Sequence, residues 1–274
     1  MTDLRTLPAS FDPATVAAID ERLTDVCATH DVAIPLAIES GSRAWGFPSP
    51  DSDYDCRFVY VRPVDQHLSP WPRRDVIETP LEGDLDVNGW ELGKAIKLLL
   101  KGNAVIIEWL RSPYVYRGEA WFRDGFLAFA GRFADRDLIG RHYLHLGERQ
   151  RRVYFGDGAA VPQKKIFYAL RPAATLRWLR MHPEAPLAPM HFPTLMAECD
   201  PPQDVAALIA DLMARKARTR ELGAEPLPPA IAAFIDGEFE IARPVFERRD
   251  ATLSPEARQA ADRFYRDVAR RVFG

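Results

Sequence analysis

Strand-like and helix-like patterns alternate over the first 118 residues of this 274-residue chain, whereas helix-like patterns dominate after about residue 120. The chain has no internal repeats and no low-complexity tract. We therefore expect an α/β plus all-α fold. A mixed sheet with helices would occupy residues 1–118, and a helical domain would follow over residues 119–274.

The N-terminal half begins with a predicted helix that Asp12 caps and that ends near His30. Short runs rich in apolar, β-branched and aromatic residues then predict strands at Ile34–Ile38, Tyr54–Arg62 and Leu85–Asn88. Further helical patterns span 90–101, 120–134, 136–154, 162–181, 203–222, 229–241 and 254–272. We expect the proline within 162–181, Pro172, to kink or split its helix.

Composition excludes several classes of protein. With 47% hydrophobic and 27% charged residues, the chain is expected to fold as an ordinary globular protein. It has no apolar run long enough for a membrane span and no signal-peptide pattern, so a cytoplasmic protein without membrane contact is expected. Its three cysteines, Cys27, Cys56 and Cys199, lack the spacing of a zinc site or a disulfide framework.

Charge is unevenly distributed along the chain. The formal net charge is −3, which argues against a generic nucleic-acid coat protein. Between Arg132 and Arg180, however, 11 basic side chains accompany only four acidic ones. Such a stretch could attract a polyanion, and the alternative of a solvated basic helix face stays open.

The residues that suggest chemistry follow the first predicted strand, in the segment Glu39–Asp55 (ESGSRAWGFPSPDSDYD). Gly41 and Ser42 stand at a strand-to-helix turn, where backbone N–H groups and a hydroxyl favour a phosphate. Asp53 and Asp55 lie two residues apart at the start of the second strand, so both carboxylates project from one face.

A third carboxylate, Asp86, lies in the next predicted strand between two apolar residues. If the strands are neighbours, it joins the pair. Carboxylates forced together repel one another unless a cation joins them, and Mg²⁺ prefers such oxygen ligands. Asp84 shares the face of Asp86 if its strand extends back, so it is the alternative third carboxylate.

The order strand, Gly-Ser, short helix, strand with Asp-x-Asp and a third strand with Asp resembles the DNA polymerase β nucleotidyltransferase superfamily. The segments ESGSRAWGF, SDYD, DVNGWELGKAIKLLLKGNAVIIEWLRSPYVY and KKIFYALRPAATLRW resemble its RNA-repair-pathway, RNA-ligase-associated family of predicted nucleotidyltransferases. The resemblance spans about residues 36–180. It implies a polymerase β-like N-terminal domain that binds an NTP and Mg²⁺ or Mn²⁺.

The resemblance also implies roles for single residues. Gly41 and Ser42 would hold the β- and γ-phosphates of the NTP, ATP among them. Asp53 and Asp55 would bind both metal ions, and Asp86 would bind the catalytic one. An acceptor hydroxyl would then attack the α-phosphorus in line while pyrophosphate leaves.

Basic residues outside the carboxylate strands are further nucleotide-binding candidates. Arg43 follows the Gly-Ser turn and would reach a phosphate. Lys164, Tyr168 and Arg171 fall on one stripe of a predicted helix that the resemblance places beside the site. The lysine and the arginine would contact the triphosphate or the acceptor, and a solvated helix surface remains the alternative.

The sequence therefore predicts a metal-dependent nucleotidyltransferase that transfers an NMP to an acceptor hydroxyl. An RNA end is one candidate acceptor, and a protein or small molecule is another. A nucleotide-binding regulatory or antitoxin-like module without turnover is the alternative function.

Overall fold

A computed structural model describes residues 4–156, 160–220, 223–246 and 253–274 of the chain. As the sequence predicts, the N-terminal half contains a mixed sheet with helices and the C-terminal half is helical. The main sheet contains β1 (Ala33–Glu39), β2 (Tyr54–Val61), β3 (Val76–Glu78), β4 (Leu85–Glu91) and β5 (Val115–Gly118). Two short strands, β6 (Val161–Pro162) and β7 (Ala224–Glu225), pair separately.

The helices are α1 (Pro13–His30), α2 (Gly41–Trp45), α3 (Leu92–Leu100), α4 (Ala104–Leu110), α5 (Ala120–Phe133), α6 (Arg136–Tyr154), α7 (Gln163–Met181), α8 (Phe192–Cys199), α9 (Gln203–Arg218), α10 (Pro229–Phe246) and α11 (Pro255–Phe273). A 3₁₀ helix lies at Val64–His67. The last two positions of the predicted helix 203–222 lie outside the described residues. No helix in the described ranges is both long enough and apolar enough to cross a bilayer.

The main sheet has the strand order β3-β4-β2-β1-β5. Strands β2 and β4 are parallel, and their register places Asp55 opposite Asp86. The other neighbouring pairs are antiparallel. Because side chains alternate along a strand, one face of β2 carries Tyr54, Cys56 and Phe58 into the smaller core cluster, which includes residues of α1. The opposite face carries Asp55 and Arg57, and its Val59 and Val61 lie in the larger cluster with residues of α3 and α4.

The sequence patterns miss several short or unusual elements. Strands β3 and β5 and helix α8 are found where none was predicted. The helix expected from residue 90 begins at Leu92, because β4 continues to Glu91. Of the expected kink or split at Pro172, the split is wrong, since α7 continues through the proline, and the kink stays a prediction. Gly147 of α6 faces this proline, and a β-carbon there would crowd both the proline and the ring of Phe239.

Helix α11 returns to the N-terminal half of the molecule. The ring of Phe264 packs against Phe126 and Phe129 of α5, with centroids 5.2 and 5.4 Å away. The hydroxyl of Tyr265 lies 2.9 Å from Oε1 of Glu91, at the end of β4. The larger hydrophobic cluster accordingly contains residues from both sides of position 118. The division into domains at that position stays a prediction.

Candidate active site

The turn between β1 and α2 brings the backbone against a carboxylate. Gly41 has a φ of +63°, a left-handed conformation that favours glycine. A β-carbon at this position would overlap Oδ2 of Asp55, so glycine allows the close approach. The hydroxyl of Ser42 donates to Oγ of Ser52 at 2.9 Å. This bond connects the turn to the loop that precedes β2.

Two of the predicted carboxylates meet across the parallel strands β2 and β4. Nη2 of Arg57 lies 3.1 Å from Oδ1 of Asp55 and 2.6 Å from Oδ2 of Asp86. Asp53, one residue before β2, is exposed and lines the same cleft as Asp55. The structure therefore places all three side chains around one end of β2 and β4.

The carboxylates influence one another electrostatically. Burial raises the pKa of Asp55; the positive charge of Arg57 opposes this, and the negative charges of Asp86 and Asp53 add to it. Across residues 4–156, 160–220, 223–246 and 253–274, no three His, Cys, Asp or Glu side chains form a group that could hold a metal ion. The donor chemistry nevertheless fits Mg²⁺ or Mn²⁺, because carboxylate oxygens are ligands that these cations prefer. The metal site stays a prediction.

A cleft of about 470 Å³ opens beside Asp55 and joins the two halves of the molecule. Its lining includes Ser40, Gly41, Ser42, Trp45, Phe47, Ser49, Asp51, Ser52, Asp53, Asp55, Arg57, Lys164, Tyr168 and Lys216. Nζ of Lys164, on α7, lies 3.2 Å from Oδ2 of Asp51. Nζ of Lys216, on α9, donates to the carbonyl of Phe47 at 2.6 Å. Acidic and basic groups thus face one space from different elements.

The two predicted arginines are held by other contacts. Arg43 donates to the carbonyls of Ser52 and Asp53 at 2.6 and 3.1 Å, and its guanidinium lies 3.8 Å from the ring centroid of Tyr54. It thereby supports the loop that carries Asp53. Arg171 is buried, and its Nη2 lies 2.6 Å from Oε1 of Glu108. The same guanidinium lies 3.7 Å from the ring centroid of Trp45, on the cleft wall.

The structure separates the two candidates for the third carboxylate. Asp86 pairs with Asp55 in register and through Arg57. Asp84 is exposed and precedes β4, and its carbonyl accepts from the backbone N–H of Tyr54. Gly41, Ser42, Asp53, Asp55 and Lys164 line one cleft, and Asp86 connects to it through an arginine. Their roles in binding remain predictions.

Three residues near the site were not recognised from the sequence. Arg57 could have been found, because it lies two residues after Asp55 on the same face of β2. Lys216 lies in a helix that carries no recognisable motif. Glu39, at the end of an apolar strand, is fully buried and accepts from the Tyr116 hydroxyl and from the backbone N–H of Asp55. Burial raises the pKa of Glu39 to about 8.

Comparison with known proteins gives two matches that span most of the chain. The family described as RlaP, RNA repair pathway DNA polymerase beta family, matches residues 16–267. The uncharacterized protein YcgL of Bacillus subtilis (strain 168) is 38% identical over 222 residues, which cover 81% of this chain and 84% of that protein. The chain therefore belongs to the RNA repair pathway DNA polymerase beta family.

Proposed function

We propose that this protein is a divalent-metal-dependent nucleotidyltransferase that transfers an NMP from an NTP to an acceptor hydroxyl, and that an RNA end is its acceptor. The observation that carries the proposal is the convergence of the Gly41 turn, the carboxylates and two lysines at one cleft. The RNA acceptor rests on the description of the family alone.

The charges of the cleft suit a nucleoside triphosphate with its metal ion. Asp53 and Asp55 offer oxygen ligands on the strand side, with Asp86 beside them. Lys164 and Lys216 offer ammonium groups from the helical side. A triphosphate held between the two sides would present its oxygens both to the metal and to the lysines.

When bound, divalent cations would neutralise the triphosphate and make the acceptor hydroxyl more acidic. The side chains and backbone of the protein would position the NTP. Gly41 and Ser42 would hold the outer phosphates close to Asp55, because the absent β-carbon lets the Asp55 carboxylate lie against this turn. In the overall reaction the acceptor oxygen bonds to the α-phosphorus, the bond to the β-phosphate oxygen breaks and pyrophosphate leaves.

The proposal can be tested by direct transfer of label. The protein would be incubated with each α-³²P-labelled NTP, Mg²⁺ or Mn²⁺, and RNAs that differ only in their 3′ and 5′ ends. Proteins and small hydroxyl compounds would serve as alternative acceptors. We expect label on an RNA end together with release of pyrophosphate. Label on a protein or small molecule alone would contradict the RNA acceptor, and no transfer to any acceptor would contradict the enzyme.

We expect Lys216→Met to weaken the binding of Mg²⁺–NTP by about tenfold to a hundredfold, the range for loss of one charge-assisted hydrogen bond. Isothermal titration calorimetry at pH 7 would measure this change. Lys94→Met is the matched control, because Lys94 pairs with Asp75 on the surface, outside the cleft. Equal affinity in Lys216→Met and wild type would exclude Lys216 from nucleotide binding.

The same variant should also change how stability depends on pH. Burial lowers the pKa of Lys216 from 10.5 to about 8, and the positive charge of Lys164 contributes. The Lys216 side chain therefore binds its proton more tightly in the unfolded chain than in the folded one. Burial of the charged ammonium group opposes folding most fully below pH 8. We expect Lys216→Met to be as stable as wild type or more so at pH 7, by up to about 3 kcal/mol. Chemical denaturation should show that the unfolding free energy of wild type rises relative to that of the variant between pH 8 and 10.5.

A further inference from the structure

A positively charged side chain already occupies the space between two of the predicted metal ligands. Nη2 of Arg57 bridges Asp55 and Asp86, and Nη1 donates to the carbonyl of Asp86 at 2.7 Å and to that of Cys56 at 3.0 Å. Its side chain is only 19% exposed. Four contacts therefore fix one guanidinium at the centre of the carboxylate group.

The contacts divide the three carboxylates into two kinds. Both oxygens of Asp86 accept hydrogen bonds, Oδ2 from Arg57 and Oδ1 from the side-chain amide of Asn88. Asp55 gives one oxygen to Arg57, while its other oxygen faces Gly41 at the cleft. Asp53 is exposed. Asp53 and Asp55 thus line the cleft, and Arg57 holds one oxygen of Asp55, whereas both oxygens of Asp86 are engaged by hydrogen-bond donors.

We propose that Arg57 is a built-in counter-cation that competes with the divalent metal ion for Asp55 and Asp86. This inference rests on the proposed function. Carboxylates held this close need a positive charge in the absence of metal, and Arg57 supplies it. A divalent cation that takes the same oxygens must displace the guanidinium or bind beside a like charge, and either costs free energy. The arginine therefore keeps metal affinity low until a nucleotide adds its own phosphate ligands.

The test is titration with Mn²⁺ alone, without nucleotide, by isothermal titration calorimetry and by thermal unfolding. We expect Arg57→Gln to melt below wild type without metal and to bind Mn²⁺ at least about tenfold more tightly. Arg151→Gln is the matched control, because it removes an arginine that pairs with Asp236 in the helical half at 3.0 Å. It should lower the melting temperature and leave Mn²⁺ affinity unchanged.

Arg57→Lys keeps a positive charge, but an ammonium group cannot bridge two carboxylates as the planar guanidinium does. We therefore expect a smaller increase in Mn²⁺ affinity than in Arg57→Gln. This variant decides the question if Arg57→Gln does not fold. Mn²⁺ binding that is unchanged or weaker in the variant tested would overturn the inference. If wild type nonetheless binds Mn²⁺ together with an NTP, the proposed function survives that result. Absence of metal binding in every protein, with or without an NTP, would overturn both.

Discussion

We expect Asp55→Asn and Asp86→Asn each to lower the rate of nucleotidyl transfer by roughly a thousandfold or more. Loss of a metal ligand should cost more than loss of a single hydrogen-bond donor to the transition state. Each change replaces a carboxylate in the group around Arg57 with a neutral amide of nearly the same shape. Folding should change little. We expect unfolding free energies without metal within about 1 kcal/mol of wild type, because lost ion pairing is offset by relief of carboxylate repulsion.

Asp84→Asn is the control for this experiment. It removes the same charge two residues before Asp86, from an exposed side chain that precedes β4. We expect this variant to retain transfer within about twofold of wild type. Single-turnover rates at saturating NTP would compare the chemical step in all four proteins. A large loss in Asp84→Asn with full activity in Asp86→Asn would reassign the third carboxylate.

Binding without turnover would lead to a different conclusion. If wild type is stabilised by Mg²⁺ with an NTP and yet transfers nothing, the protein acts as a nucleotide-binding module. Asp55→Asn and Asp86→Asn would then lose the stabilisation by Mg²⁺ and NTP, and no transfer would be measured in any of the proteins. Thermal unfolding with and without Mg²⁺–NTP therefore belongs beside every transfer assay.

The site was more predictable than its surroundings, because its residues are close together in sequence. Gly41, Ser42, Asp53 and Asp55 lie within 15 positions, and a strand, a turn and a second strand suffice to bring them together. Asp86 required only that β4 lie next to β2. Lys216 could not be placed in this way. Its position depends on how α9 packs in the helical half, and local patterns do not determine such packing.

The missed elements have comparable physical causes. Strand β3 has three residues and β5 has four, too few for alternation to stand out from chance. The sequence predicts the start of α3 too early, because Trp90 fits either a helix or a strand, and pairing of β4 with β2 and β3 decides for the strand. Pro172 does not split α7, because residues of this helix on both sides of the proline are buried and the helix packs against α6 and α10. At the start of α3 and at Pro172, contacts distant in sequence override the local signal.

We expect Gly41→Ala to reduce transfer at least a hundredfold and to lower stability by about 1–3 kcal/mol, because two costs combine. The left-handed conformation strains any residue with a β-carbon, and that carbon would also overlap Oδ2 of Asp55. The overlap must push the carboxylate or the turn away. Displacements of about 1 Å at a reacting centre can cost roughly a hundredfold in rate.

Gly83→Ala separates the two costs. Gly83 also has a positive φ, +58°, but a β-carbon there would meet no atom within 4 Å. We therefore expect it to lower stability by about 1 kcal/mol through strain alone and to leave transfer unchanged. Chemical denaturation and transfer rates of both variants would be measured in parallel. Unchanged transfer in both variants would mean that the contact between Gly41 and Asp55 does not position the phosphates.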